Sequence, residues 1–347
     1  MAGSWTATIL PIHIKGRVGV AVSTEIMRPY QPALALFLLS PMIGELLSGS
    51  SPPLEFFNPF AFLFMAGLYG SGAVIIRELA FRWGKGWTSV LAMGVAYGII
   101  EEGLEVKSFF DPHWQDIGLL GSYGRVAGVN WVWSVELSIF HAVFSIALPI
   151  LLASLLFTRE TERAWVSDRT LKLLFAVLVL DVAIGFVFLT PYYPPVLSYA
   201  LAIALVDGLF VLAYALPRHY LPPFAVEAPR PRRFFFLGAS FATLFFLSAW
   251  ALPGVGLPFP VPIVAMLLIS YLSFRAVCKW SGNGGSWNAR HQLALAAGAL
   301  SFLIALSFLQ ELSGTPGMIG MSLVGLGFIV FLANLWVRLG SAPRASR

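Results

Sequence analysis

Three acidic side chains crowd into five residues, Glu101, Glu102 and Glu105, in a stretch otherwise almost free of charge. The next apolar stretch carries His141. Carboxylate and imidazole groups take protons from water, and the same groups ligate divalent metals. Two more acids, Asp181 and Asp207, fall near the middles of two later apolar stretches. A charge at the centre of a bilayer costs at least ~2.5–3.5 kcal/mol on insertion scales, so such groups face a protein interior. Every Lys and Arg falls in a loop or at the end of an apolar stretch. The deep acids therefore have no basic partner but His141. They must protonate, bind a cation or meet water in a cavity.

Helical spacing predicts how these residues are presented. Gly94, Gly98, Glu101 and Glu105 follow a 4-3-4 pattern, with Glu102 at its edge. At about 100° per residue that is one narrow face. Ser134, Ser138, His141 and Ser145 repeat the pattern on the next stretch, whereas Glu136 points elsewhere. The glycines permit close helix approach, so the two polar stripes are expected to face one another. The connecting segment, FFDPHWQDIGLLGSYGRVAGVNW, is long enough to form a lid.

The elements that must position them are membrane spans. Of 347 residues, 58% are hydrophobic and 11% charged, against about 25% charged in an average soluble domain. That shortfall fits a chain whose solvent is lipid. The single cysteine excludes an internal disulfide and a cysteine-based metal cluster. The chain opens without a basic segment followed by a long apolar core, so no cleaved signal peptide is expected and the first span is read as the insertion signal.

Ten stretches approach the roughly 20 apolar residues that a span needs: 32–49, 59–77, 87–107, 131–157, 170–190, 196–216, 234–252, 259–278, 292–311 and 316–337. The distribution of charge is independent of the apolar lengths that define them. Of the 22 Lys and Arg, only Lys107 and Arg125 fall in the alternate set of loops. The positive-inside rule places the rich side in the cytoplasm. The prediction is an all-α, polytopic transmembrane bundle of about ten spans in the cell membrane, with both termini cytoplasmic. Because the basic residues recur in short loops and form no single patch, the net charge of +5 implies no nucleic-acid partner. The partner is the bilayer.

The Pro-rich segment 217–233 divides the chain. The expected parts are an N-terminal segment 1–31 with a weak interfacial-helix pattern, a six-span half 32–216 carrying the polar residues, the linker, a four-span half 234–338 and a tail 339–347. The loop 281–287 is expected to be flexible. Glu45 and Glu136 are read as near the outer surface, meeting interfacial water. Arg77 and Glu78 are read as an ordinary interface pair, with Glu311 in the same role at the outer face, and Gly67, Gly70 and Gly72 as packing glycines.

Two classes of function fit. The first is a membrane-embedded hydrolase of peptide or lipid using Glu101, Glu102 and His141, supported by Glu105. It requires no cofactor. A variant of it holds a divalent metal on Glu101 and His141, joined by His113 from the loop. The second class is a small-solute or cation permease, with Asp181 and Asp207 as a midplane pair on one helical hairpin. An accessory membrane subunit is the bland alternative, in which the Glu/His group is a structural hydrogen-bond network.

Glu101-Glu102 late in one span, Lys107 after them and His141 on the next span resemble the superfamily of intramembrane glutamate proteases. That superfamily includes the CAAX prenyl endopeptidases and the bacterial proteases that cut anti-sigma factors. The resemblance covers about 87–150. It implies a glutamate-activated water within the membrane, with His141 helping to bind the attacked carbonyl. Two positions depart from the family pattern. The basic residue stands five places after the second glutamate, and Leu137 replaces the aromatic that precedes the histidine.

Overall fold

The computed structural model describes residues 30–218, 227–281 and 287–341. All but the end of the expected N-terminal segment, most of the Pro-rich linker, most of the loop 281–287 and the end of the tail lie outside the described residues.

Ten helical rods occupy the ten expected stretches. They are α1 (Gln31–Leu47), α2 (Pro59–Arg82), α3 (Trp87–Ile99 continued by Ile100–Glu105), α4 (Trp131–Leu156), α5 (Asp168–Phe188), α6 (Val196–Ala215), α7 (Pro231–Trp250), α8 (Pro260–Ser281), α9 (Ala289–Leu312) and α10 (Met321–Ser341). Eight of them are long and apolar enough to cross a membrane; α1 and α3 fall short of that measure. The sole sheet among the described residues is a hairpin, β1 (Arg125–Val126) with β2 (Val129–Asn130), in the loop between α3 and α4.

Local chemistry sets the helix starts. The Asn58 side chain accepts from the Phe60 and Ala61 amides ahead of Pro59, Ser167 accepts from Thr170, and Asn288 forms a capping box with His291. Loop contacts follow the charge alternation. On the arginine-rich side Arg82 pairs with Asp168 and donates to the Val166 carbonyl, while Lys85 donates to the Leu216 carbonyl. On the poor side Tyr123 donates to the Leu257 carbonyl and Gln310 to that of Ser48.

The central helices are α1, α2, α3 and α4. Both α5 and α6 cover the α3 end and leave an outer face of bare apolar side chains, such as Val179, Val196 and Leu197. In lipid such a face needs no further cover. Helices α7 and α9 form the tightest crossing, because each offers a glycine to the other's backbone. A Cβ on Gly238 would meet the Leu295 carbonyl, and one on Gly298 would meet the Phe235 carbonyl. Gly298→Val should therefore cost roughly 1–3 kcal/mol through overpacking. A thermal midpoint in detergent equal to that of the wild type would contradict this crossing.

Arg77 and Glu78 correct the expectation of an ordinary interface pair. Both are buried; Arg77 stacks 3.8 Å from the Trp165 ring and donates to the Thr161 carbonyl, and Glu78 accepts from the Trp165 amide. The pair pins the α4–α5 loop onto α2. Glu311 is also more than a surface acid, since it accepts from the Gly320 and Ser322 amides at the start of α10.

Candidate functional site

The site begins where α3 and α4 touch. A Cβ on Gly94 would lie 2.7 Å from Ala142 Cα, and one on Gly98 would lie 3.1 Å from both His141 Cβ and Ser138 Cα. The two stripes do face each other. Just beyond this contact both helices widen into π turns, Ile100–Glu105 and His141–Ala147. A π turn closes i→i+5 bonds and so takes up one residue more than an α turn, and such turns gather at functional sites. Here the widening brings adjacent acids to one imidazole. His141 Nδ1 lies 3.3 Å from Glu101 Oε2, and Nε2 lies 3.3 Å from Glu102 Oε1. A regular α helix leaves Glu102 at the edge of the stripe.

Two further π turns converge on the same place. Met42–Leu47 of α1 carries Glu45, and Ala66–Gly70 of α2 carries Tyr69. The Tyr69 hydroxyl donates to Glu45 Oε1, and Ser51 donates to Glu45 Oε2 at 2.7 Å. The rings of Tyr69 and Tyr97 lie 5.9 and 6.0 Å from the imidazole. Ser145 Oγ sits 3.1 Å from Nδ1. Proline explains one link in this shell. Pro149 has no N–H to give to the Ser145 carbonyl, and that carbonyl instead accepts from Ser40 Oγ of α1 at 2.6 Å.

The α3–α4 loop covers the group from above. Ser108 donates to Glu102 Oε2 and accepts from Trp133 Nε1, while Asn130 Nδ2 donates to the Ser108 and Asp111 carbonyls. Partial desolvation, and after it the charge of Glu102, raises the Asp116 carboxyl of this loop above its ordinary value. The Glu102 side chain is 13% exposed against 7% for Glu101 and 2% for His141, so approach to the group is past Glu102.

Lys107 does not serve the carboxylates. Held at φ 61°, it donates to the Phe186 and Thr190 carbonyls at 2.6 and 3.1 Å. It thus ties the end of α5 to the end of α3, a place where a cation also suits the helix dipole. Lys107→Met should leave those carbonyls unpaired at a cost of about 1–3 kcal/mol. Faster hydrogen exchange confined to the α5 end would report it; unchanged exchange there would remove this role.

Glu105 and Asp181 form a neighbouring pair. Both Glu105 oxygens and Asp181 Oδ2 are buried without hydrogen-bond partners. Two glycines make room for them: a Cβ on Gly185 would strike Glu105, and one on Gly67 would strike the Asp181 carboxylate. Asp207 is not part of this pair. It lies on the exposed side of α6, near Leu205 and Val211, and α6 packs on α3 while α5 packs on α2 and the α3 end. His113 is also apart, exposed in the loop, and the group of metal-ligating type is Glu101, Glu102 and His141 without it. One ligand atom from each of these three lies within 4.8 Å of the others, and Glu101 Oε2 is buried with no hydrogen bond, so the set fits a divalent cation. Glu136 corrects the expectation of interfacial water: it is buried and accepts from Trp250 Nε1 at 2.6 Å.

Glu45, Tyr69, Tyr97 and Ser108 are site residues that sequence reasoning missed. Glu45 carried the same signal as Glu101, an acid within an apolar stretch. The tyrosines and the serine carried none.

Comparison with known proteins covers the helices that build this site. Residues 34–186 match the model of an uncharacterized membrane protein family. The chain is an integral membrane protein. The match runs from α1 into α5 and takes in Glu45, Tyr69, the α3 glutamates, His141 and Asp181, but not Asp207. An uncharacterized protein of Archaeoglobus fulgidus is 26% identical over 126 residues, which is 36% of this chain and 38% of that protein. The alignment thus spans well under half of the relative's length. No solved structure matches. Neither description names a protease.

Proposed function

We propose that this protein is a membrane-embedded hydrolase of peptide or lipid in which Glu102 activates water. The observation that carries the reading is the buried imidazole of His141 with a carboxylate at each ring nitrogen, both 3.3 Å away. A general base must lie within hydrogen-bond reach of the water it deprotonates, and Glu102 is the member of the group open to approach. Glu102 takes a proton from water as the water oxygen bonds to the substrate carbonyl carbon. The resulting oxyanion is stabilised by N–H from His141. Collapse then expels the leaving group, which takes the proton back from Glu102. Ser145 holds the imidazole at Nδ1, and the Glu101 carboxylate faces the same nitrogen. The resemblance to intramembrane glutamate proteases agrees with these roles, except that Lys107 serves as a helix tie.

A metal-assisted form of the same hydrolysis is favoured by one specific fact, the three donor atoms within 4.8 Å. A cation there would supply Lewis-acid activation of water. The permease reading has less support, because Asp207 lies on the exposed side of α6. In the orientation that the basic residues imply, the site opens toward the extracytoplasmic half of the cell membrane, the six-span half carries the chemistry and the four-span half braces it.

The test is hydrolysis by protein reconstituted in liposomes, using fluorogenic ester lipids and transmembrane peptides, with metal content measured on the same sample. Turnover that disappears in Glu102→Gln supports the reading. Equal turnover in the folded variant overturns it. Stoichiometric metal that is lost in His141→Ala selects the metal-assisted form.

A further inference from the structure

One cavity is separate from the carboxylates. A groove of about 610 Å³ lies between α3, α4, α7, α8 and α9, within the ~300–1,000 Å³ range of ligand pockets. Its deep walls are apolar, with Val95, Ala142, Phe241 and Leu295 among them. At the arginine-rich end it is lined by Trp87, Trp287 and Arg218. No acidic side chain lines it among the described residues.

We propose that this groove seats one acyl chain of an anionic glycerophospholipid, with the headgroup phosphate at Arg218. Three observations select that occupant. The first is length. The α4 residues on the wall run from Leu151 to Ile139, a rise of roughly 18 Å. That is about half of the ~30 Å hydrocarbon layer, the depth of one chain reaching from the interface to the midplane. The second is charge. A guanidinium in a groove that no acid lines among the described residues suits a phosphate, which it grips with paired donors, and Lys85 adds a second positive charge nearby through its bond to the Leu216 carbonyl. The third is the polar detail of the mouth. Two tryptophans frame it at headgroup level, and the buried Thr88 Oγ1 has no partner, leaving a hydroxyl for an ester carbonyl. An apolar groove of this size does not hold ordered water well. Ala142 and Ala147 line it from the same π turn whose other face presents His141 and Ser145, so the seated chain braces that turn.

The lone cysteine gives a direct readout, because Cys278 lines the groove. The whole chain is placed in nanodiscs of phosphatidylcholine alone or with phosphatidylglycerol, and Cys278 is alkylated with uncharged N-ethylmaleimide. Phosphatidylglycerol should slow alkylation by roughly fivefold, the factor expected for one Arg at an anionic surface. Arg218→Gln, an exposed and structurally mild change, should remove the difference. Equal rates in both lipids, or slowing that persists in Arg218→Gln, overturns the proposal. Native mass spectrometry gives a second arm: the wild type should retain one phosphatidylglycerol that the groove-filling Leu295→Trp variant loses. Undiminished retention in that folded variant places the lipid elsewhere and overturns it too.

Discussion

Glu102→Gln should lower the rate of hydrolysis by about 10²–10⁴-fold, the usual contribution of a positioned general base, while the melting temperature changes little. The side chain keeps its shape, so the Ser108 hydroxyl can still donate to an amide oxygen, and the Ser108–Trp133 and Ser108–Asn130 links that hold the loop remain. What disappears is basicity. Glutamine cannot accept the proton of water, and the loss should fall on kcat with KM nearly unchanged. Tyr69→Phe is the useful comparison. It removes the donor to Glu45 without touching the proposed base, so it should reduce the rate by far less. A Glu102→Gln enzyme at wild-type kcat would assign the cluster to structure alone.

Glu78→Ala should destabilise the protein by about 3–5 kcal/mol. Breaking one side of a buried ion pair strands the other charge. Arg77 would remain buried against Trp165, facing only the Thr161 carbonyl. The Trp165 amide and Arg82 would lose the same acceptor. Replacing both members with apolar residues, Arg77→Met with Glu78→Leu, should be far milder than the single change, because no charge is left unpaired. Thermal melts in detergent of the two variants check this. A single variant as stable as the double would show that the pair is solvated.

Much of the fold was legible because lipid imposes simple rules on a sequence. Apolar length and the alternation of Lys and Arg locate the ten rods without reference to side-chain detail. The α3–α4 contact was legible for a related reason, since Gly94, Gly98 and the serines keep helical spacing up to the site. Counting at 3.6 residues per turn stops working at Ile100 and His141, where the backbone changes period, and so Glu102 was placed at the edge of a face when it meets the imidazole. Glu45 and Tyr69 come from α1 and α2, and spacing along one helix says nothing about which helices meet. Asp181 and Asp207 show the opposite error. Equal depth on consecutive rods suggests a pair, but Asp181 turns inward beside Gly67 while Asp207 lies on the exposed side of α6. Arg77 and Glu78 read as an ordinary interface pair because nothing local signals that Trp165 folds back over them.

Four widened turns meeting at one spot make the cluster sensitive to chain length more than to side-chain identity. Removing a single residue such as Ile100 would let α3 close ordinary i→i+4 bonds, so that the chain after the turn keeps its orientation while the widening itself is lost. Glu101 and Glu102 could then no longer both face the imidazole, although the loop anchored at Ser108 would stay in place. Insertions and deletions here are therefore far less interchangeable than in the bare outer rods, where a one-residue slip merely exchanges one lipid-facing side chain for another.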